Sequence, residues 1–345
     1  MRAVAIRAYG TLGQVAVLDL PRPVPVQADD VVVAVKAAAL NHLDLFVVEG
    51  LPGVKHTFPH VLGCDAAGVV EAVGPGVTRV KPGDRVMINP GVSCGRCGFC
   101  EAGEQSMCHR FGVLGEHVTG TFAEAVRVSE GNLAPLPADA TWPEAAAYPL
   151  ATLTAYRMLA TRAALRPGEA VLIWGIGGGV ALAGLQVAKL LGARVIVTSS
   201  SDAKLERARA MGADAGVNHG TGDVVKAVRA FAGGRGVDVV LETVGQQTWE
   251  TSLRCLARGG RVVTCGGTSG PQLTLDVRRL FWHHWTILGS TMGNRREFAE
   301  IAHLFEARLL RAVVDSAFPL ADARAAFERL AAGGQFGKIV LTVEA

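Results

Sequence analysis

Over the first part of the chain, apolar and polar positions alternate in short runs rich in Val and Ile. Met1–Arg7, Val31–Ala37, Gly68–Val73, Asp84–Asn89 and Phe122–Val128 each read as a strand. The segments Gly74-Pro75-Gly76 and Lys81-Pro82-Gly83-Asp84 read as turns between them. Many short strands with long loops predict a barrel-like β-rich domain. The period changes near Thr141. Thr141-Trp142-Pro143-Glu144 fits a capping box with Pro in the first turn, so a helix is expected from there to about Ala164, with a break near Pro149. Arg166-Pro167-Gly168-Glu169 then reads as a turn.

Beyond that turn strands and helices alternate. Strands are expected at Ala170–Trp174, Arg194–Thr198, Ala215–Asn218, Val237–Glu242, Arg261–Cys265 and Thr286–Ser290. Helices are expected at Val180–Leu191, Asp202–Met211, Asp223–Ala232 and Gln246–Ala257, with Gly192 and Gly212 placed as helix stops. Such alternation implies right-handed βαβ units around a parallel sheet. The tail adds helices near Arg295–Ala307 and Ala321–Ala331 and a strand, Lys338–Val343, that returns to the first domain. Domain boundaries follow at 1–150, 151–291 and 292–345.

At 345 residues the chain is too long for one core and suits two domains. A formal charge of +3 with no Lys/Arg run excludes a nucleic-acid stripe. No apolar run reaches the roughly 18 residues of a membrane span, and the first residues carry no apolar signal core. A cytoplasmic protein with no membrane partner is expected. Seven cysteines then need a reason other than disulfides. Four of them, Cys94, Cys97, Cys100 and Cys108, fall in a C-x2-C-x2-C-x7-C run within residues 91–110. Four thiolates close a tetrahedral zinc shell with no open position, so one structural zinc per chain is expected; an iron–sulfur cluster could use a similar run. Cys64, Cys255 and Cys265 read as small core residues.

Strand Ala170–Trp174 runs into Gly175-Ile176-Gly177-Gly178-Gly179-Val180-Ala181 and then a helix, the context that a dinucleotide fingerprint requires. Gly175, Gly177, Gly178, Gly179 and Val180 are the candidate pyrophosphate contacts. The spacing has one residue more than the plain motif, and Ala181 stands where its last glycine would be. An NAD site carries Asp or Glu at the end of the next strand, about 20 residues on. Here that strand ends in Thr198-Ser199-Ser200-Ser201, with Lys204 and Arg207 close behind. Hydroxyls and cations without a carboxylate favour NADP(H) over NAD(H). Ser201 also suits the cap of the following helix.

Taken together, the Val-rich start, Gly63-Cys64-Asp65-Ala66-Ala67-Gly68, Lys81–Val86, the cysteine lobe, the glycine turn and Phe336-Gly337-Lys338-Ile339-Val340 resemble the medium-chain dehydrogenase/reductase superfamily from end to end. The resemblance implies an α/β chain with a GroES-like β-rich catalytic domain carrying the zinc lobe and a Rossmann domain. It also implies a small-molecule substrate and a homodimer or homotetramer, and extends the cofactor contacts to Gly266 and Lys338. Zinc alcohol dehydrogenases of this superfamily hold a catalytic zinc with Cys, His and Cys, and have Glu beside the His. The matching positions here are Asn41, Cys64 and Leu150, with Asp65 at the Glu position. Leu cannot bind zinc, and an amide is a poor ligand for it. A set drawing on His42, Asp44 or His60 stays open.

Asn41-His42-Leu43-Asp44 instead resembles the zinc-free quinone and enone reductases, which carry Asn-x-x-Asp there. Hydride transfer from NADPH to an activated alkene or quinone is therefore expected, with Asn41, Asp44 and Cys64 as the candidate catalytic residues. Asn41 is expected to donate a hydrogen bond to the substrate oxygen or the nicotinamide ribose, and Asp44 to cap or orient the Asn41 segment. Two other readings remain: a zinc-type alcohol dehydrogenase acting on aldehydes or ketones, and a non-catalytic NADPH-binding sensor. The aromatic run Phe281-Trp282-His283-His284-Trp285 reads as core or subunit interface.

Overall fold

The computed structural model describes residues 1–343; the end of the predicted 292–345 segment lies outside the described residues. The chain forms two compact units: Met1–Ala151 with Gly293–Ala345, and Thr152–Met292. Among the described residues no helix is long and apolar enough to cross a membrane.

The first unit is built on a seven-stranded sheet. Its path runs Leu133–Pro135, Arg85–Ile88, Asp65–Val73, Asp30–Ala39, Lys338–Thr342 and Val314–Pro319, with Ala125–Ser129 also against Asp30–Ala39. The central strand Asp30–Ala39 is almost wholly Val and Ala, and Val31, Val33 and Val35 join Phe122, Phe327 and Leu341 in one core. Burying each such side chain contributes about 1.5–3 kcal/mol. A second, three-stranded sheet pairs Arg2–Ile6 with Ala16–Asp19 and His60–Val61.

Register matters here because it assembles the polar cluster described below. Ala39 stands opposite Val340 on one side and Asp65 on the other. Continuing both pairings by two residues brings position 41 alongside Lys338 and Gly63, two residues before strand Asp65–Val73. The Leu40 N–H, bonded to the Ile339 carbonyl at 2.9 Å, holds that alignment.

The second unit is a six-stranded parallel sheet whose strands, numbered within the unit in chain order, lie in the order 3-2-1-4-5-6. The first is Ala170–Ile173 and the fourth is Val237–Glu242, so the order reverses between them, and ligands bind at such a reversal. Near-continuous apolar strands fit a sheet covered on both faces. The break near Pro149 is present: helix Trp142–Ala147 ends before it, and Pro149–Tyr156 begins a second helix. Thr141 caps the first helix by accepting from the Glu144 N–H.

Several elements differ from the sequence expectation. The predicted helix Gln246–Ala257 is shorter, Trp249–Cys255, and strand Leu256–Thr264 follows it at once. Hydrogen bonds to the Glu242 carboxylate hold residues 244–248 in a loop instead. Helix His42–Glu49 was not anticipated; its run Leu45-Phe46-Val47-Val48 has the composition of a strand, and tertiary burial overrides it. Strands Ala16–Asp19 and Val314–Pro319 and helix Val277–His283 were missed as well. In the aromatic run, Trp285 is core, whereas Phe281 and Trp282 are each 63% exposed.

Candidate functional site

Four sulfurs define the first candidate centre. The Sγ atoms of Cys94, Cys97, Cys100 and Cys108 all lie within 4.8 Å of one another. Backbone N–H groups of Cys94 and Arg110 point at the Cys108 sulfur at 3.4 and 3.3 Å. A backbone N–H from Cys100 pulls the Cys97 thiol down to about 6, so this sulfur reaches the anionic form that binds metal. The donor set is soft, tetradentate and closed, and it fits zinc in a structural role.

Asn41, Asp44, Cys64, Asp65 and Lys338 meet in the first unit and form the second centre. All are buried, Asp44, Cys64 and Asp65 completely. Asp65 organises them. Its Oδ1 accepts the Leu150 N–H at 2.8 Å, and its Oδ2 accepts Asn41 Nδ2 at 2.9 Å and Lys338 Nζ at 3.1 Å. Lys338 also donates to Asn41 Oδ1. An ammonium only donates, so this contact fixes which end of the amide is oxygen and turns the Nδ2 group toward Asp65. The second Nδ2 hydrogen has a long contact, 3.4 Å, with the Ala39 carbonyl. That hydrogen is the one Asn41 can offer elsewhere.

Asp44 closes the first turn of helix His42–Glu49 by accepting the Asn41 N–H at 2.7 Å, which is the capping role expected of it. Burial pushes its carboxyl up to about 7, partly opposed by the Asn41 hydrogen bond and the Lys338 charge. Burial likewise raises the Cys64 thiol well above its ordinary value, and this thiol donates to Asp44 Oδ1 at 3.8 Å. Burial at this position favours the protonated thiol over the thiolate.

Leu150 brings a backbone N–H to this cluster and no ligand atom. Among the described residues, Cys94, Cys97, Cys100 and Cys108 form the one group of three or more His, Cys, Asp or Glu side chains placed to share an ion. Of His42, Asp44 and His60, Asp44 meets Cys64, and no further ligand side chain completes a group of three there among the described residues. His60 faces elsewhere: its Nε2 lies 2.9 Å from the Gly115 carbonyl, and its ring stacks on His56. Lys338 was expected among the cofactor contacts, but its ammonium engages Asn41 and Asp65. The signal for this pairing is register, which no local pattern shows.

In the second unit, Gly175 and Gly177 take φ of 65° and 120°, which L side chains rarely adopt. Gly178 is the cap of helix Gly179–Leu190 and supplies no side-chain acceptor, so the first-turn N–H groups are left for an anion. A glycine turn that a Cβ would strain, next to an uncapped helix start, fits a dinucleotide pyrophosphate. Val180 lies in that first turn. The following strand ends at Ser199, which is buried and accepts the Ser201 N–H at 3.1 Å. Ser200 is exposed. Ser201 caps the next helix by accepting from the Lys204 N–H. Asp202 on that helix accepts from Asn218 at 2.9 Å. Gly266 lies exposed just past strand Leu256–Thr264.

A Rossmann strand order, a glycine turn at its reversal and a β-rich unit with a thiol lobe define a dinucleotide-dependent oxidoreductase. Comparison with known proteins makes that class specific. Residues 27–138 match the alcohol dehydrogenase GroES-like domain, and residues 179–307 match the zinc-binding dehydrogenase family. An alcohol dehydrogenase of Geobacillus stearothermophilus is 31% identical, with all of both chains covered. Acryloyl-coenzyme A reductase of Metallosphaera sedula is 33% identical, covering 99% of this chain and 100% of that one. A solved NAD-dependent alcohol dehydrogenase superposes with a TM-score of 0.96 at 46% identity over the full length of both chains. The chain belongs to the medium-chain dehydrogenase/reductase superfamily and is an NAD(P)-dependent oxidoreductase.

Proposed function

We propose that this enzyme reduces an alkene conjugated to a carbonyl, or a quinone, using NADP(H), with its zinc confined to the cysteine lobe. One observation carries the reading. At the three positions where zinc-type relatives hold a catalytic metal, this chain has an amide held by Lys338 and Asp65, a fully buried thiol bonded to Asp44 and a leucine. Carbonyl–alcohol interconversion draws several kcal/mol from a Lewis acid. Hydride addition to a conjugated carbon needs less, because the developing charge moves onto an oxygen that one or two hydrogen bonds can hold.

A bound reduced nicotinamide supplies the hydride. The chain's part is to orient the substrate oxygen and stabilise its developing charge. Asn41 offers its second Nδ2 hydrogen for that, exchanging the long Ala39 contact for the substrate oxygen. Asp44 fixes the start of the helix that follows Asn41, and Lys338 and Asp65 fix the amide plane. Cys64 packs beneath, held by Asp44. The relative named acryloyl-coenzyme A reductase makes an alkene conjugated to a thioester the first substrate class to try.

We assign residues 1–150 and 292–345 to the catalytic domain and 151–291 to the cofactor domain. Within the latter, Gly175, Gly177, Gly178, Gly179 and Val180 take the pyrophosphate. Ser200 and Lys204 take a 2′-phosphate beside Ser199, and Gly266, just past the fifth strand, is a further cofactor contact. The enzyme works in the cytoplasm as a homodimer or homotetramer, for which light scattering in solution is the check.

A second reading is supported by the 46% identical structure of an NAD-dependent alcohol dehydrogenase. An activity panel of enones, enoyl thioesters, quinones, aldehydes and ketones, run with NADPH and NADH before and after chelation, separates the two. The proposal expects alkene or quinone reduction that prefers NADPH and withstands chelation short of stripping the lobe. Alcohol oxidation lost on chelation with the lobe zinc intact would contradict it. Ser199→Asp should turn the cofactor preference toward NADH, because the carboxylate repels a 2′-phosphate and accepts from ribose hydroxyls.

A further inference from the structure

The fourth strand of the parallel sheet, Val237–Glu242, ends in a carboxylate that is completely buried. Five contacts converge on it. Glu242 Oε1 accepts the N–H groups of Val244 and Gly245 at 2.7 and 3.2 Å, and the Thr248 hydroxyl lies 2.9 and 3.0 Å from its two oxygens. Its Oε2 accepts Ser252 Oγ at 2.6 Å, and that hydroxyl in turn accepts the indole N–H of Trp174 at 2.8 Å. Trp174 immediately precedes Gly175, the first residue of the glycine turn. A relay therefore runs Trp174 → Ser252 → Glu242 and links the turn after the first strand to the loop after the fourth.

That loop is fastened in turn to the one after the fifth strand. The Val244 carbonyl accepts the Ser269 N–H and Ser269 Oγ, each at 2.7 Å. Gly245, at φ +90°, packs so closely that a Cβ would stand 2.6 Å from the Gly270 carbonyl oxygen. Three loops at the carboxyl edge of the sheet, flanking its reversal point, are thus held in one arrangement. A dinucleotide binds at that edge.

We infer that Glu242 is a positioning residue for the nicotinamide dinucleotide: through Ser252 and Trp174 it sets the glycine turn, and through Val244 and Gly245 it sets the loop beside it. Glu242 does not touch the cofactor, since it is buried beneath the loops it orders. The carboxylate suits this role because it only accepts, and every neighbour within reach donates. The inference rests on the NAD(P) dependence of the family and is independent of which substrate is reduced.

The test uses the full chain and titrates NADPH and NADH separately, without substrate, by nicotinamide fluorescence. Glu242→Gln places an amide among donors and should weaken binding about tenfold, the loss expected when buried donors lose their acceptor. Ser252→Ala and Trp174→Phe cut the relay while leaving Glu242 itself in place, and each should weaken binding about threefold. The double variant should be no weaker than either single one, because both cut the same link. Apparent KM for cofactor should rise with kcat at saturating cofactor unchanged. Should Glu242→Gln fail to fold, the two relay variants decide. Wild-type affinity in Ser252→Ala and Trp174→Phe, whatever happens to Tm, overturns the inference and leaves Glu242 a packing residue only.

Discussion

Two cysteine-bearing regions of the same unit make opposite use of similar chemistry. In the lobe, four sulfurs face one another within 4.8 Å, and a backbone N–H draws Cys97 toward its thiolate. Around Cys64, a single sulfur sits among two carboxylates, an amide and an ammonium, and burial holds its proton on. The first region needs a dication to balance its charge. The second already contains a cation, because Lys338 pairs with Asp65 at 3.1 Å. Metal binding depends on ligand number and charge together, and among the described residues the lobe is the one group of three or more ligand side chains placed to share an ion.

The largest test of that contrast is a pair of cysteine substitutions. Cys97→Ser should empty the lobe of zinc and lower Tm by roughly 5–10 °C, whereas Cys64→Ser should leave zinc per chain unchanged in elemental analysis. Next comes the built-in cation. Lys338→Met leaves the Asp65 carboxylate buried without its counter-charge and should cost about 3–5 kcal/mol in denaturant unfolding. If the variant instead gains a second zinc, the space belongs to a metal after all. Asn41→Ala should then lower turnover about a hundredfold, the value of one donor worth ~3 kcal/mol, with little change in Tm.

These tests also mark what the sequence could reveal. The lobe was legible because its ligands are close in the chain and their spacing is the signal. The glycine turn and the alternating strands and helices were legible for the same reason. The pairing of Lys338 with Asp65 was not: the two are 273 residues apart, and only strand register joins them. Helix His42–Glu49 was hidden by its strand-like residues, and the start of helix Trp249–Cys255 by a loop that Glu242 holds open. Asn41 was a candidate from the sequence, but the engagement of both ends of its amide required the folded geometry.

A further expected effect is one of pH. The Asp44 carboxyl rises from 3.8 to about 7 on folding, so between those values the folded state binds the extra proton. Stability from this group is therefore present at low pH, falls as pH rises from about 4 to about 7 and is level above that. Asp44→Asn should flatten that part of the curve in a series of urea melts.

The most direct measurement of the central claim follows the hydride itself. NADPH carrying deuterium at C4 is given to the enzyme with a conjugated enone or enoyl thioester, and the product is examined by NMR. The account predicts a saturated carbonyl product with deuterium on the carbon β to the carbonyl, formed at one zinc per chain. Deuterium on the carbinol carbon of an alcohol, formed only when a second zinc is bound, would contradict it.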